Sequence, residues 1–389
     1  MLRNPTPTSV VRAALAALLP FAALLLAPSA HAAVPVPAPP QLDARGYLLV
    51  DHVSGRVLAE RSADERLEPA SITKLMTAYA VFHALAEGKL KLDEGVHIST
   101  RAWKAEGSRT FVQVGTQVPV DVLIQGMIVQ SGNDATIALA ERVGGSEETF
   151  AQLMNNYAKQ LGMRSTNFEN STGLPGPQHY TTARDIAILS RAIIKEFPQY
   201  YRWYSQRDFT WNNIRQPNRN GLLGMNIGVD GIKTGHTESA GYCLVTSAKR
   251  NDMRLVSVVL GTPSIRAREE ASRALLEYGF NFYETKRVYR AGRTLASARV
   301  WKAEESPVEL GLPEDLWLTV PRGQAANLRG TVTKMQNLVA PIPTTTQIGE
   351  LQIYLGSDVI ARRPLHPIKE VAQGGLFRRA MDSFWLWFE

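Results

Sequence analysis

The chain has 389 residues, of which 44% are hydrophobic and 20% are charged. This length leaves room for two domains with proper cores, and the composition excludes a disordered or fibrous protein. The net charge of +7 is spread along the chain rather than concentrated in basic runs, so nucleic acid is not an expected partner.

The first 32 residues have the pattern of a secretory signal peptide. Arg3 and Arg12 precede or open an apolar run over 13–26, and small residues follow, with Ala30-His31-Ala32 as the cleavage site. The apolar run is too short to span a bilayer comfortably. A retained N-terminal anchor is the alternative, and the prolines within and after the run argue against it. We therefore expect an exported protein.

Residues 33–280 are predicted to form one α+β domain. A β-hairpin is expected over 46–61, and apolar residues at helical spacing predict a helix over 71–87 that Gly88 ends. Three β-rich stretches follow near residue 230 and precede a final helix over 266–280. Because strands occur at both ends of the domain, we expect both ends to contribute to one sheet. Further helices are predicted over 120–130, 134–145, 146–162 and 182–198.

The remainder of the chain predicts a small β domain and an amphipathic tail. Short strands broken by glycine and proline indicate a β-sandwich over 281–372. Over 373–389, apolar and polar residues separate onto two halves of a helix that is too short to span a bilayer and suits a membrane interface. The alternative is a helix that packs on its own β domain. The apolar half comprises Leu376, Phe377, Ala380, Met381, Phe384, Trp385, Trp387 and Phe388; the polar half comprises Arg378, Arg379, Asp382 and Glu389, with Leu386 as the one apolar exception.

Cys243 is the only cysteine, so the chain cannot form an intramolecular disulfide. It lies in a stretch whose alternation predicts a strand. We interpret it as a small buried hydrophobic residue rather than a catalytic thiol.

Ser71 and Lys74 stand three residues apart at the start of an apolar helix, so that their side chains share one face. A hydroxyl beside an amine provides a possible nucleophile and a possible base. The pair alone is weak evidence for a catalytic site, because a helix-capping serine followed by a solvated lysine gives the same pattern.

Two further motifs strengthen this interpretation. Ser131-Gly132-Asn133 occupies a break between two apolar helices, where polar side chains can be exposed. Lys233-Thr234-Gly235 lies on a predicted strand, where the glycine lets a ligand approach the backbone. Ser165-Thr166-Asn167 has the same Ser-x-Asn form but opens no comparable break, so we assign it a structural role.

In this order the three motifs resemble the signature of the serine penicillin-recognising enzymes, S-x-x-K, S-x-N and K-T-G. The sequence is most similar to the low-molecular-mass D-alanyl-D-alanine carboxypeptidases of the bacterial cell wall, over nearly the whole chain. The resemblance implies a penicillin-binding, serine β-lactamase-like domain followed by the β-sandwich and the amphipathic helix. It also implies removal of the terminal D-alanine from peptidoglycan stem peptides, with β-lactams as covalent inhibitors and no metal or organic cofactor.

The resemblance assigns the catalytic roles to Ser71, Lys74 and Ser131. Ser71 is the nucleophile, and Lys74 is the base, which requires a pKa lowered by burial and by a neighbouring charge such as that of Lys233. Ser131 relays a proton to the leaving amine, and Asn133 hydrogen-bonds the substrate amide. The oxyanion is held by the backbone N–H groups of Ser71 and His236.

The substrate ends in a carboxylate, which needs a binding site with cationic or hydroxyl groups. Lys233, Thr234 and Gly235 suit this role on the strand. Arg268 matches the family's carboxylate-binding arginine by position, and Arg266 is close enough to remain an alternative. His236 is expected to act through its backbone rather than as an imidazole base.

The resemblance also implies a periplasmic enzyme that its C-terminal helix attaches to the outer face of the cytoplasmic membrane. Three other functions remain open. A β-lactamase with efficient deacylation would carry an E-x-x-L-N motif, which the sequence lacks. An endopeptidase of this family would usually lack the β domain and tail. A penicillin sensor would acylate without turnover.

Overall fold

The computed structural model describes residues 36–387. The predicted signal peptide, 1–32, and the last two residues of the tail, Phe388 and Glu389, lie outside the described residues.

The α+β domain is built from an antiparallel sheet with helices around it. Its strands are β1 (Gly46–Asp51), β2 (Val57–Arg61), β3 (Gly95–His97), β4 (Gln117–Pro119), β5 (Asp208–Trp211), β6 (Ile214–Pro217), β7 (Val229–Thr237), β8 (Gly241–Arg250) and β9 (Met253–Thr262). Its α-helices are α1 (Lys74–Ala86), α2 (Thr100–Trp103), α3 (Val120–Gln125), α4 (Asn133–Gly144), α5 (Glu147–Leu161), α6 (Ala183–Glu196), α7 (Pro198–Tyr201) and α8 (Ile265–Phe282). Single 3-10 turns span Ala70–Thr73 and Arg202–Ser205.

The central sheet has the strand order β2-β1-β9-β8-β7, so both ends of the domain do contribute to it. β1 pairs antiparallel with both β2 and β9, and β8 pairs with both β7 and β9. Helices α6 and α8 pack on this sheet. The predicted α+β organisation is confirmed.

Helix α1 lies inside the helical layer rather than on the surface. Of its thirteen residues, only His83, Leu85 and Ala86 are not buried. Gly88 adopts a positive φ of 71° just after the helix ends, as the predicted stop requires. Burial of this helix places its first residue, Lys74, away from water.

The β domain follows α8 without a linker. Its strands are β10 (Tyr283–Tyr289), β11 (Ala296–Ala298), β12 (Val300–Trp301), β13 (Val308–Gly311), β14 (Leu316–Pro321), β15 (Leu328–Lys334), β16 (Leu338–Val339), β17 (Gly349–Leu355) and β18 (Asp358–Pro367), with a 3-10 turn at Ala325–Asn327. A five-stranded sheet of order β11-β13-β18-β17-β15 and the pairs β10-β14 and β12-β16 surround a common apolar core.

A buried polar network joins the two domains. The Asp51 carboxylate, at the end of β1, accepts hydrogen bonds from Ser54 Oγ at 2.8 Å and from Thr285 Oγ1 at 2.7 Å. Thr319 Oγ1 in turn lies 2.6 Å from Ser54 Oγ and 2.9 Å from Thr285 Oγ1. Because the members satisfy one another, this network fixes the β1–β2 turn against strands β10 and β14.

The tail forms helix α9 (Leu376–Leu386), which contacts the β domain through polar groups. Asp382 accepts a hydrogen bond from the Lys302 backbone N–H at 2.5 Å, and Arg378 Nη1 donates to the Glu304 carbonyl at 2.7 Å. The apolar half faces outward, with Leu376 83% and Phe377 81% exposed. None of the helices over 36–387 is long and apolar enough to cross a bilayer.

Leu386, the apolar exception on the polar half, is explained by this arrangement. Leu386, Asp382 and Arg379 are half-buried, whereas every other residue of α9 is exposed. These three residues share one side of the helix, which is the side turned toward the β domain. The inner face of the helix therefore combines charged and apolar residues, and its outer face is apolar.

Candidate active site

The predicted nucleophile and base are in contact. Lys74 Nζ lies 3.1 Å from Ser71 Oγ and donates to Asn133 Oδ1 and to the Thr172 carbonyl oxygen, both at 2.7 Å. Ser71 is half-buried, and Lys74 is 1% exposed. When the amine is neutral, its N–H groups are taken by Asn133 and Thr172, so its lone pair points at the Ser71 hydroxyl. When it is protonated, all three oxygens can accept from it.

The pKa of Lys74 fits the role of a base. Burial, and after it the positive charge of Arg219, lower this pKa from the ordinary value of a lysine to about 7. A substantial fraction of the amine is therefore neutral near pH 7. Arg219 is a neighbouring charge that was not predicted from the sequence, and the predicted neighbour Lys233 also interacts with Lys74, whose charge lowers the pKa of Lys233.

Ser131 stands at an irregular joint between two helices. Helix α3 continues into a π-turn over Gly126–Gln130, and Ser131 then adopts a left-handed conformation with φ 66° and ψ 30°. Both features are uncommon in proteins and recur at functional sites. They turn the Ser131 side chain out of the helix, where its Oγ accepts a hydrogen bond from Lys233 Nζ at 2.9 Å.

Asn133 and Asp134 hold the loop of residues 106–112 against this joint. Asn133 Nδ2 donates to the Glu106 carbonyl at 2.6 Å, and the backbone N–H of Asn133 donates to the Ser108 carbonyl at 2.7 Å. The buried Asp134 carboxylate accepts the backbone N–H groups of residues 110–112 at 2.7–3.3 Å. Asn133 therefore positions Lys74 and a loop together, and its amide keeps one further N–H for a substrate.

A segment that the sequence analysis did not single out supplies the Thr172 carbonyl. Asn170 Oδ1 accepts the N–H groups of Thr172 and Gly173 at 3.1 and 2.7 Å, which shapes a tight turn. Gly173 has a φ of 88°, and a Cβ there would lie 1.8 Å from the Ala70 carbonyl oxygen. Only glycine lets this turn approach the residues beside Ser71.

His179 is a second residue that sequence reasoning missed. Its Nδ1 accepts the Glu169 N–H at 3.1 Å, so its Nε2 carries the proton and donates to Thr73 Oγ1 at 2.8 Å. Burial and the charge of Lys74 lower the pKa of His179 to about 4, which keeps the ring neutral at neutral pH. His179 therefore braces the turn that carries Ser71 and Lys74.

Strand β7 brings a cationic region to the same place. Lys233 is 3% exposed, and Thr234 is 6% exposed. Burial holds the pKa of Lys233 well below its usual range, and the charges of Lys74, Arg219 and Arg268 lower it further. Two lysines and two arginines lie close together here, which suits an anionic ligand.

The structure brings Arg268, and not Arg266, to the site. Arg268 is 5% exposed, and its guanidinium approaches the carbonyl oxygens of Gly235 at 3.5 Å and Arg219 at 3.3 Å. Its buried Nε has no partner among the described residues. The Arg266 side chain is 87% exposed and pairs with Glu270 at 2.6 Å.

Gly235 lies close to the turn that carries Ser71. A Cβ there would lie 3.1 Å from both the Pro69 carbonyl oxygen and Ile72 Cγ1. The glycine thus lets β7 lie against the turn that carries Ser71. His236 comes next on the strand, and its exposed ring stacks on Tyr242 at 3.9 Å.

The residues assigned structural roles lie outside this cluster. Ser165 N–H and Thr166 Oγ1 both donate to Asp185, at 2.9 and 2.7 Å, so Asp185 braces that loop at the start of α6. Cys243 is fully buried on β8, and burial raises the pKa of its thiol to about 11. The structural interpretation of the Ser165-Thr166-Asn167 motif and of Cys243 is confirmed.

This geometry has the parts that acyl transfer requires. A half-buried hydroxyl lies beside an amine of lowered pKa, a second hydroxyl is held by a second lysine, and buried cations lie next to both. Such an arrangement can activate a serine for attack on a carbonyl group and can attract a substrate that ends in a carboxylate.

Comparison with known proteins supports the same conclusion. The D-alanyl-D-alanine carboxypeptidase family model matches residues 33–264, and that of the penicillin-binding protein 5 C-terminal domain matches 283–373. The chain is 45% identical to the D-alanyl-D-alanine carboxypeptidase DacC of Escherichia coli K12 over 376 residues, or 94% of each chain. The structure superposes on penicillin-binding protein 5 of Haemophilus influenzae with a TM-score of 0.84 and 41% identity, covering 87% of this chain and 100% of that one. Ampicillin-bound penicillin-binding protein D2 of Listeria monocytogenes gives a TM-score of 0.55 at 31% identity, covering 62% of this chain and 100% of that one.

Proposed function

Because the chain belongs to the D-alanyl-D-alanine carboxypeptidase family of penicillin-binding proteins, we propose that it is a serine-type carboxypeptidase acting through an acyl-enzyme on Ser71. Its substrates are the stem pentapeptides of peptidoglycan, from which it removes the terminal D-alanine, and β-lactams are its covalent inhibitors. The observation that carries the proposal is the contact of Ser71 Oγ with a buried lysine of lowered pKa.

Acylation follows from the hydrogen bonds of Lys74. The neutral amine takes the proton of Ser71 as Oγ attacks the carbonyl carbon of the penultimate D-alanine. The resulting ammonium is stabilised by three acceptors already in place, which are Ser71 Oγ, Asn133 Oδ1 and the Thr172 carbonyl. Ser131, fixed by Lys233, passes its hydroxyl proton to the leaving nitrogen and takes the proton of the Lys74 ammonium in return, so that Lys74 is neutral again. Water then releases the acyl group, with Lys74 again as the base.

The oxyanion and the substrate carboxylate need separate partners. We assign the oxyanion to the backbone N–H groups of Ser71 and His236. We assign the carboxylate to Thr234 and the cations that surround it, Arg219 and Arg268. Arg268 supports this assignment because it is a buried guanidinium whose Nε has no partner among the residues at 36–387.

Release of D-alanine tests the proposed function. The mature chain should release D-alanine catalytically from a pentapeptide ending in D-Ala-D-Ala and should hydrolyse penicillin only slowly. Rapid penicillin hydrolysis without D-alanine release would indicate a β-lactamase. Covalent penicillin binding without turnover of the peptide would indicate a sensor, and cleavage of cross-linked dimers alone would indicate an endopeptidase.

The pH dependence of acylation reports on Lys74. Because only the neutral amine accepts the Ser71 proton, we expect the acylation rate to rise through pH 7 and to fall by about tenfold for each unit well below that value. The measurement is the rate of labelling by a fluorescent penicillin between pH 5 and 9. A flat profile over this range would contradict the assignment of Lys74 as the base.

We further propose that the protein is exported and held on the outer face of the cytoplasmic membrane by α9. The pattern of residues 1–32 supports export. The outward apolar half of α9 supports attachment at the membrane surface, because burying each exposed aromatic side chain contributes about 1.5–3 kcal/mol. The inner face of α9 is occupied by the β domain, which leaves the apolar half available to lipid.

Deletion of residues 375–389 should release the protein from membranes and leave its rate on small peptides unchanged. Phe377→Glu places a charge at the centre of the outward face and should weaken binding to anionic vesicles strongly. Ser383→Glu adds the same charge at the edge of that face and should weaken binding much less. Co-sedimentation with vesicles measures all three variants. A deleted chain that still sediments would place the anchor elsewhere.

A further inference from the structure

A cavity of about 650 Å³ lies where the α+β domain meets the β domain. One wall comprises the β1–β2 turn, with His52, and the second half of α6, with Ile188, Arg191 and Lys195. The other comprises residues 312–317 and Arg363. The buried network around Asp51 fixes the two walls to each other, so the cavity is part of the folded structure. None of its lining residues belongs to the candidate active site.

Positive charge predominates in this cavity. Arg191, Lys195 and Arg363 line it, and none of them forms an ion pair with another residue in the described part of the chain. On the acidic side, Asp315 is already held by Arg287 at 3.0 Å. Glu314 is exposed at the rim. The balance favours a ligand with few negative charges over a polyanion.

Arg191 is fixed in position but poorly compensated. Its Nε donates to the His52 carbonyl at 2.9 Å, and its Nη atoms lie against Gly55, where a Cβ would be 3.1 Å from both. Burial lowers the pKa of Arg191, and only the charge of Asp51 opposes this shift. The Asp51 carboxylate is itself occupied by Ser54 and Thr285. A carboxylate placed in the cavity would supply the missing partner.

His52 is a further polar group on the same wall of the cavity. Its Nδ1 is buried and has no hydrogen-bond partner among the described residues. Burial and the charge of Arg191 lower the pKa of His52 to about 4, so the ring is neutral at neutral pH. The neutral ring leaves the positive charge of this wall to Arg191 and Lys195.

We propose that this cleft binds a short peptide through one carboxylate, with Arg191 and Lys195 holding the carboxylate and Trp317 and Pro313 contacting the peptide body. The proposal rests on the proposed function for the source of the peptide. Removal of the terminal D-alanine leaves a stem tetrapeptide with a new C-terminal carboxylate, and this product forms wherever the enzyme acts. The cleft is thus a second site for the wall polymer, apart from the catalytic one.

The test is calorimetric titration of the full mature chain, acylated with penicillin so that the active site is closed, with a stem tetrapeptide. We expect one binding site, weakened about tenfold when the peptide carries a C-terminal amide. Lys195→Gln should weaken binding by a similar factor, and Arg191→Gln by at least as much. Lys159→Gln removes an exposed lysine from α5 and should have no effect.

Unchanged affinity in Lys195→Gln and Arg191→Gln would overturn the proposal, as would complete displacement of the peptide by an equal concentration of inorganic phosphate. Lys195 is exposed, so its variant keeps the test valid if Arg191→Gln lowers the melting temperature. The mass of the acylated protein and the rate of D-alanine release are measured on the same samples. A failure of the proposed function is thereby distinguished from a failure of the second site.

Discussion

Replacing Ser71 by alanine should abolish covalent labelling by a fluorescent penicillin and lower D-alanine release by roughly 10³-fold or more. The physical reason is that Ser71 Oγ is the only atom in the cluster that combines partial exposure with contact to Lys74. The variant leaves the buried groups of the site in place, because Lys74 keeps Asn133 and Thr172 as acceptors. Labelling is read after denaturing electrophoresis.

Ser165→Ala is the matched control for this experiment. Ser165 belongs to a motif of Ser-x-Asn form, but it takes part in the loop that Asp185 braces. Its replacement should leave labelling and turnover close to those of the unmodified chain. Undiminished labelling of Ser71→Ala would show that the nucleophile lies elsewhere.

The two lysines of the site should respond differently to arginine. Lys74→Arg should lower acylation by roughly 10²–10⁴-fold, because a guanidinium stays protonated at any working pH and cannot act as a base. Lys233→Arg retains a positive charge beside Ser131 and should preserve more of the acylation rate. The measurement is the second-order rate constant of penicillin labelling for each variant.

Two controls show whether a loss of activity in either lysine variant comes from a loss of folding. Lys74 and Lys233 are both almost fully buried, so each variant is first checked for an unchanged melting temperature. Ser165→Ala, whose side chain lies outside the site, serves as a folded reference. Equal losses in the two lysine variants would mean that the roles of Lys74 and Lys233 are assigned wrongly.

Much of the fold could be predicted because its signals are local. The hairpin of β1 and β2, the three long strands near residue 230 and the break at Ser131 each follow from the periodicity and turn residues of a short stretch. The order of the three motifs then indicated the family. What periodicity could not predict was the π-turn before Ser131, because Met127, Ile128 and Val129 are all apolar and buried and therefore show no break in the helical period.

The remaining site residues could not be predicted because their contacts span long distances in sequence. Lys74 meets the Thr172 carbonyl across 98 residues, and Thr73 meets His179 across 106. Every residue has a backbone carbonyl, so the residue type does not reveal that the carbonyl of Thr172 is used. A single histidine in a loop carries no pattern. Arg219 could not be predicted for the same reason, because it lies in a polar loop and carries no pattern of its own. Gly173 offered the one usable signal, since a glycine in an ordered turn can mark a close approach of two backbones.

The central claim is that Ser71 forms an acyl-enzyme with a peptide ending in D-Ala-D-Ala. It is tested most directly by mixing the mature chain with such a peptide, quenching in acid within the first turnovers, and mapping the adduct by mass spectrometry. We predict an adduct on Ser71 whose added mass is that of the peptide less one molecule of D-alanine. An adduct on any other residue, or steady release of D-alanine with no adduct under conditions that trap the penicilloyl-enzyme, would contradict the account.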